Sequence, residues 1–329
     1  MRLTTLGTGT IAFSPTRACS GALVEGGGVR LLLDCGSGVV RRLAELELDW
    51  WTITHIAITH FHIDHFGDLP TLLFGWRYGR LPGRSAPVEI IGPPGTAALL
   101  ERLAGAFGDW VLRPPEFEVT VREIEAGSPI SLGDGDLALT LEARVVPHTS
   151  ESVAYSLRSG RGRLVYTGDT GYDATLGEWA AECDVLLCEC SLPQSMAIPA
   201  HLTPEQCGDL AAIARPRLLA LTHMYPPVET VDVRAIVATR WPGATCFALM
   251  SRPAPPWRAT KSPGRRTIGW CWSIRLAWPK CKARRAKKWP GRRPATLTWC
   301  CLSPTARCAI LKLSCWKRWP AWKSASWSA

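Results

Sequence analysis

The chain of 329 residues is long enough for one large domain or two small ones, and its net charge of +10 hides a division. Residues 1–250 hold 19 Arg, no Lys and 28 Asp and Glu, a net −9, whereas residues 251–329 hold 11 Arg, 8 Lys and no acid, a net +19. No apolar run approaches a membrane span, Met1–Gly7 lacks the apolar stretch of a secretory signal, and the seven cysteines of residues 1–250 show no paired framework, so a reducing cytoplasm is expected.

Arg2–Leu6 predicts a strand, followed by Gly7-Thr8-Gly9-Thr10-Ile11-Ala12. These residues formally match the dinucleotide fingerprint G-x-G-x-x-A. That fingerprint needs a helix directly after it, yet Phe13-Ser14-Pro15-Thr16-Arg17 is a poor helix start and Cys19–Val24 looks like another strand. The nucleotide reading is rejected. Arg30–Asp34 predicts a strand ending in Asp34-Cys35-Gly36, after which Val39, Val40, Leu43 and Leu46 mark the apolar face of a helix.

The apolar run His55-Ile56-Ala57-Ile58-Thr59 predicts a buried strand by its length and β-branched content. Directly after it stands His60-Phe61-His62-Ile63-Asp64-His65. Only seven histidines occur in the chain, so three within this hexapeptide point to a metal site rather than a polar loop. Imidazole and carboxylate without thiolate suit zinc or a similar divalent ion.

Downstream, the pattern predicts a helix over Leu69–Tyr78, a strand over Val88–Ile91, a turn at Gly92-Pro93-Pro94-Gly95 and a helix over Thr96–Ala106. Glu116–Ile124 and Leu137–Val146 alternate like strands, and the second ends at Pro147-His148. Leu164–Thr167 is a short apolar strand running into Gly168-Asp169-Thr170-Gly171. Val185–Ser191 reads as a buried strand with Glu189 inside it, and burying that carboxylate is costly unless it is partnered. After His201, Thr203 as N-cap, Pro204 at the first helical position and Gln206 two places on predict a capping-box helix with Leu210, Ala211, Ile213 and Ala214 on its buried face. Leu218–Thr222 is the last core strand, leading to His223, and a final helix is expected over about Val231–Trp241.

H-x-H-x-D-H after an apolar strand resembles the signature of the metallo-β-lactamase superfamily, over about residues 1–245. Leu6–Thr10 with Pro15 and Arg17, Glu189 in its strand, and His201-Leu202-Thr203 before a small-residue helix are similar to the ribonuclease Z branch. Cys188 departs from the His that precedes the Glu in that branch. The resemblance implies an α/β fold, the αββα four-layer sandwich. It further implies two divalent ions, zinc in the first place and manganese as the other candidate. One takes His60, His62 and His148, the other takes Asp64, His65 and His223, and Asp169 bridges them while Asp34 supports the site from behind. Two such ions would activate a bridging hydroxide, Asp64 would also orient or deprotonate the nucleophile, and His201, held by Glu189, would donate to the phosphate or leaving group. His55 is read as structural.

The expected function is therefore that of a ribonuclease Z-like phosphodiesterase, with RNA among its candidate substrates, no membrane partner and a homodimer as one compatible assembly. Two other readings compete. One is another hydrolase of this fold, acting on a lactone, thioester, sulfate ester or cyclic phosphate. The other is a non-catalytic nucleic-acid-binding relative. Against tRNA stands the spacing: 20 residues separate His148 from Asp169, too few for the long arm of ribonuclease Z proper. The acidic balance of residues 1–250 supplies no basic surface either.

Residues 246–329 are expected to form a largely unstructured basic tail. From residue 251 on, the tail holds 10 of the 16 Trp and every Lys of the chain. Two readings stay open for it. A basic, aromatic arm would contact phosphates and stack on bases. Alternatively the segment is an out-of-frame read, which the abrupt loss of acids favours.

Overall fold

The computed structural model describes residues 1–133, 138–160, 162–242, 245–248, 273–277 and 310–313. The first half runs β1 (Arg2–Gly7), β2 (Gly21–Gly26), β3 (Val29–Leu33), α1 (Val39–Glu45), β4 (His55–Ala57), α2 (Ile63–Phe66), α3 (Leu69–Tyr78), β5 (Val88–Gly92), α4 (Thr96–Phe107) and β6 (Val119–Glu123). The second half runs β7 (Ile130–Leu132), β8 (Leu139–Val145), β9 (Val153–Ser159), β10 (Gly162–Tyr166), α5 (Ala174–Trp179), β11 (Val185–Glu189), α6 (Pro204–Ala214), β12 (Leu218–Thr222), α7 (Val233–Arg240) and β13 (Cys246–Ala248). Two further strands, β14 (Ser273–Ala277) and β15 (Ile310–Leu313), follow.

The central strands are apolar on both faces, and this dictates a layered fold. In β3, Leu31 and Leu33 point one way and Leu32 the other, each fully buried. Leu31 and Leu33 join Leu157, Leu164, Leu187 and Ala220 in a core between two sheets. Leu32 joins Val39, Leu43, Leu72 and Leu100 beneath the helices of the first half. β11 and β12 repeat the pattern: Leu187 and Ala220 face the other sheet, while Leu186, Cys188, Leu219 and Leu221 pack under α6 and α7. Such doubly buried strands need cover on both sides, and the result is the expected αββα sandwich.

The sheet orders are β15-β14-β1-β2-β3-β4-β5-β6 and β13-β12-β11-β10-β9-β8-β7. β3, β4 and β5 are parallel, as are β10, β11, β12 and β13. The loops after β3, β4, β8, β10, β11 and β12 carry Asp34, the His60–His65 segment, His148, Asp169, Ser191 and His223. Every candidate ligand therefore leaves the C-terminal end of a strand.

The structure adds elements that the pattern does not predict. β7 and α5 are too short to show a sustained apolar period, β9 carries an alternation of Val153, Tyr155 and Leu157 that the sequence reading passes over, and Ile63–Phe66 forms one helical turn within the histidine segment. The span between His148 and Asp169 is taken up by the antiparallel β9–β10 hairpin of the second sheet. The second sheet also takes in Cys246–Ala248, past the expected boundary at 245. In the tail, β14 pairs antiparallel with β1 and β15 with β14. The rest of the expectation for residues 246–329 lies outside the described residues. No helix among the described residues is long and apolar enough to cross a membrane.

Candidate metal centre

Two clusters of ligand-type side chains meet where the strand ends converge. His60, His62, His148 and Asp169 form one, and Asp64, His65 and His223 the other, each with candidate ligand atoms within 4.8 Å of one another. Asp169 belongs to both by distance. Its Oδ2 lies 3.7 Å from His60 Nε2, 3.8 Å from His148 Nε2 and 3.2 Å from His223 Nε2, and its Oδ1 lies 3.2 Å from His65 Nε2. Gly168 enables this position. Its φ is +58°, and a Cβ there would stand 3.0 Å from Thr59.

Hydrogen bonds behind the rings decide which nitrogens face inward. His148 Nδ1 donates to the Ala200 carbonyl at 2.9 Å, so its Nε2 presents a lone pair. Thr59 donates its hydroxyl to Asp34 Oδ2 at 3.0 Å and accepts from His60 Nδ1 at 3.1 Å, which turns the His60 Nε2 lone pair inward. His62 Nδ1 then sits 3.0 Å from His60 Nε2 and 3.1 Å from His148 Nε2. Three imidazole nitrogens aimed at one point are what a cation requires. In the second cluster His65 Nδ1 donates to Asp34 Oδ2 at 2.7 Å, and Ser191 plays the matching part for His223. Ser191 gives its proton to Glu189 Oε2 and accepts from His223 Nδ1 at 2.9 Å.

The electrostatics agree with a cation site. His65 Nε2 and Asp169 Oδ1 are buried without a hydrogen-bond partner among the described residues. Burial opposes charge on Asp169, yet His223 and His65 hold it well below the usual carboxylate range. Burial likewise opposes charge on His65, and Asp169 and Asp34 override it, raising the ring well above its ordinary value, so a metal ion held by Nε2 would take the place of the proton there. Burial, reinforced by His65, pushes His60 down to the neutral form in which an imidazole ligates. The residues fit a divalent ion or pair of ions, and the nitrogen and oxygen donors suit zinc or manganese.

Beside the clusters stands an acid–base pair. Glu189 is fully buried at the end of β11 and fully partnered: it accepts from Thr170 N at 2.6 Å, Leu202 N at 3.2 Å, Ser191 and His201 Nδ1 at 3.0 Å. His201 stacks over His223 at 5.5 Å between ring centroids and lies 4.8 Å from the His148 ring. Burial disfavours charge on His201, but the Glu189 hydrogen bond and charge outweigh it and raise His201 above its ordinary value. Asp169, His201 and His223 also lie close enough to form a third ligand combination. The capping box holds the following helix: Thr203 N donates to Gln206 Oε1 at 3.0 Å and Gln206 N to Thr203 Oγ1 at 3.4 Å.

All nine predicted site residues thus come together: His60, His62, Asp64, His65, His148, Asp169, Glu189, His201 and His223. Asp34 sits behind them, accepting from Thr59, His65 and Tyr166. His55 lies apart in β4, beside Thr54 and Glu89. The sequence reading misses four residues that shape the site: Thr59, Tyr166, Ser191 and Tyr225. Only Ser191 carries a local signal, two places after the buried Glu189. The Tyr225 ring lies 5.8 Å from His223 and 6.1 Å from His201.

Comparison with known proteins agrees with this geometry. The family model of the Beta-lactamase superfamily domain matches residues 29–224. A Ribonuclease Z of Mycobacterium sp. (strain KMS) is 30% identical over 268 residues, covering 74% of this chain and 91% of that protein. The crystal structure of human tRNase Z, short form, superposes with a TM-score of 0.56 at 26% identity, covering 68% of this chain and 92% of that one. The metallo-beta-lactamase fold protein YhfI from Bacillus subtilis shares the fold with a TM-score of 0.64 at 22% identity, covering 76% of this chain and 96% of that one. The chain belongs to the metallo-β-lactamase superfamily, on its ribonuclease Z-like branch.

Proposed function

We propose that this protein is a metal-dependent hydrolase of phosphodiesters. The observation that carries the reading is one carboxylate, Asp169, within 3.8 Å of histidines from both clusters, next to a His201–Glu189 pair that no ligand role requires. His60, His62 and His148 would hold one ion, Asp64, His65 and His223 the other, and Asp169 both. Ions bound there supply Lewis acidity toward a phosphoryl oxygen and acidify water.

The chain's own groups do the rest. Asp64 is buried, which opposes its charge, but the His223 hydrogen bond lowers its pKa and keeps it ionised. It can therefore orient an attacking water and accept its proton. His201 spends Nδ1 on Glu189 and presents Nε2 to the site. In its protonated form it donates to a phosphate oxygen or to the departing alkoxide. The seven described cysteines are free and buried, which supports a reducing compartment such as the cytoplasm.

Relatives named Ribonuclease Z make RNA one substrate to test. The test is a panel on the zinc- or manganese-loaded protein: bis(p-nitrophenyl) phosphate, a lactone, a β-lactam and a precursor tRNA. Turnover of a phosphodiester above the lactone and β-lactam is expected. Faster lactone or β-lactam hydrolysis would overturn the reading.

A further inference from the structure

The loops that surround the metal centre share two properties. The first is that none carries a permanent cation. Residues 8–16, 61–66, 147–151, 169–173, 190–203 and 223–231 contain no Lys or Arg, while they contain Asp64, Glu151, Asp169, Asp173 and Glu229. The nearest cation in sequence, Arg17, is buried and ion-paired to Glu229. A site that grips a polyanion needs repeated cationic contacts along the backbone it holds.

The second property is exposed apolar surface. Six of the eleven large apolar side chains left exposed among the described residues belong to these loops: Ile11, Phe13, Ile63, Tyr172, Met196 and Ile198. Scattered apolar residues need no explanation, but a group at one site does. Hydrogen bonds and close backbone approaches join the loops into one rim. The Tyr225 hydroxyl meets the Thr10 side chain, and Thr8 accepts from Met224 N at 3.0 Å, which sets Ile11 and Phe13 beside the His223 loop. His201 N donates to Ile198 at 3.3 Å, tying the Met196–Ile198 segment to the acid. Gly171 N donates to Pro147 at 2.7 Å, and a Cβ on Gly171 would stand 2.0 Å from Pro199 O, so Tyr172 emerges where these loops touch. Ile63 lies between His62 and Asp64. Phe13, 93% exposed, stands fully in water unless a ligand covers it.

We infer that the site takes a small, singly charged phosphodiester bearing an alkyl or aromatic group, which the rim of Phe13, Ile11, Tyr172, Met196 and Ile198 covers, and that these loops do not grip an RNA chain. This inference rests on the phosphodiesterase reading and names its substrate class. The anionic phosphate goes to the metal centre and His201, and the apolar group leaves water against the rim. Each methylene so covered is expected to tighten binding about two- to threefold, below full burial because the rim is half open.

The test is calorimetric binding of diethyl, dibutyl and dihexyl phosphate to the full-length, metal-loaded protein, alongside a short single-stranded RNA. Affinity is expected to climb along the alkyl series with little salt dependence, and the RNA is expected not to displace dihexyl phosphate from the site. Phe13→Ser and Ile198→Ser should flatten the climb while leaving metal content unchanged. Equal affinity along the series, or displacement of dihexyl phosphate by the RNA in a way that weakens steeply with salt, overturns the inference while leaving the phosphodiester reading in place. Failure of diethyl phosphate itself to bind overturns both.

Discussion

Asp34 Oδ2 stands 2.7 Å from His65 Nδ1, with both side chains fully buried, and this contact turns His65 Nε2 toward Asp169. Asp34 also has a φ of 54°, a left-handed conformation that Asp tolerates better than most residues. It is held there by Thr59 N at 2.8 Å, Thr59 Oγ1 at 3.0 Å and Tyr166 OH at 2.8 Å. Asp34→Asn keeps the shape but offers one acceptor oxygen to these donors. It should weaken metal affinity about 10- to 100-fold, read by competition with a chelator. Unchanged affinity would remove Asp34 from the site.

His201 acts when protonated, and its pKa is raised by Glu189 against the effect of burial. The activity it supports is therefore present below that raised pKa and falls as pH rises through it. In Glu189→Gln the favourable charge is gone, and the fall should move to lower pH. His201→Ala should lower diester turnover about a hundred- to a thousandfold with metal content intact. Loss of metal instead would make His201 a ligand, as the third combination of Asp169, His201 and His223 allows.

Ser191 links the acid pair to the ligand set, because its oxygen meets both Glu189 and His223 Nδ1. Ser191→Ala leaves the His223 tautomer unspecified and should cost about tenfold in affinity for the ion it helps hold. Ser191→Thr retains the hydroxyl and should recover most of that loss. Equal metal affinity in wild type and Ser191→Ala would contradict the link.

Thr203 holds the first turn of α6, two residues after His201. Thr203→Ala should cost about 1 kcal/mol of unfolding free energy, read by denaturant titration. A change within experimental error would mean that the cap contributes nothing.

The legible parts of this molecule are those whose signals are local. Histidines crowd into His60–His65, Thr203 and Gln206 sit three apart, and the apolar runs of β3, β11 and β12 show continuous burial. The pattern fails where the reason is tertiary. β9 places Ser156 on the face opposite Val153, Tyr155 and Leu157, and that polar residue can be buried there because Arg163 of the neighbouring strand donates to it at 2.9 Å. Tyr166 meets Asp34 across 132 residues, with no spacing to announce it. The pairing of β14 with β1 likewise depends on an open sheet edge, which only the assembled first sheet provides.

Metal stoichiometry by elemental analysis of the purified protein tests most directly whether Asp169 joins two cation sites. Wild type should retain about two divalent ions per chain, and His148→Ala about one, with activity nearly abolished. A wild type that retains no divalent ion, or a His148→Ala protein with the full wild-type complement, would show that Asp169 does not.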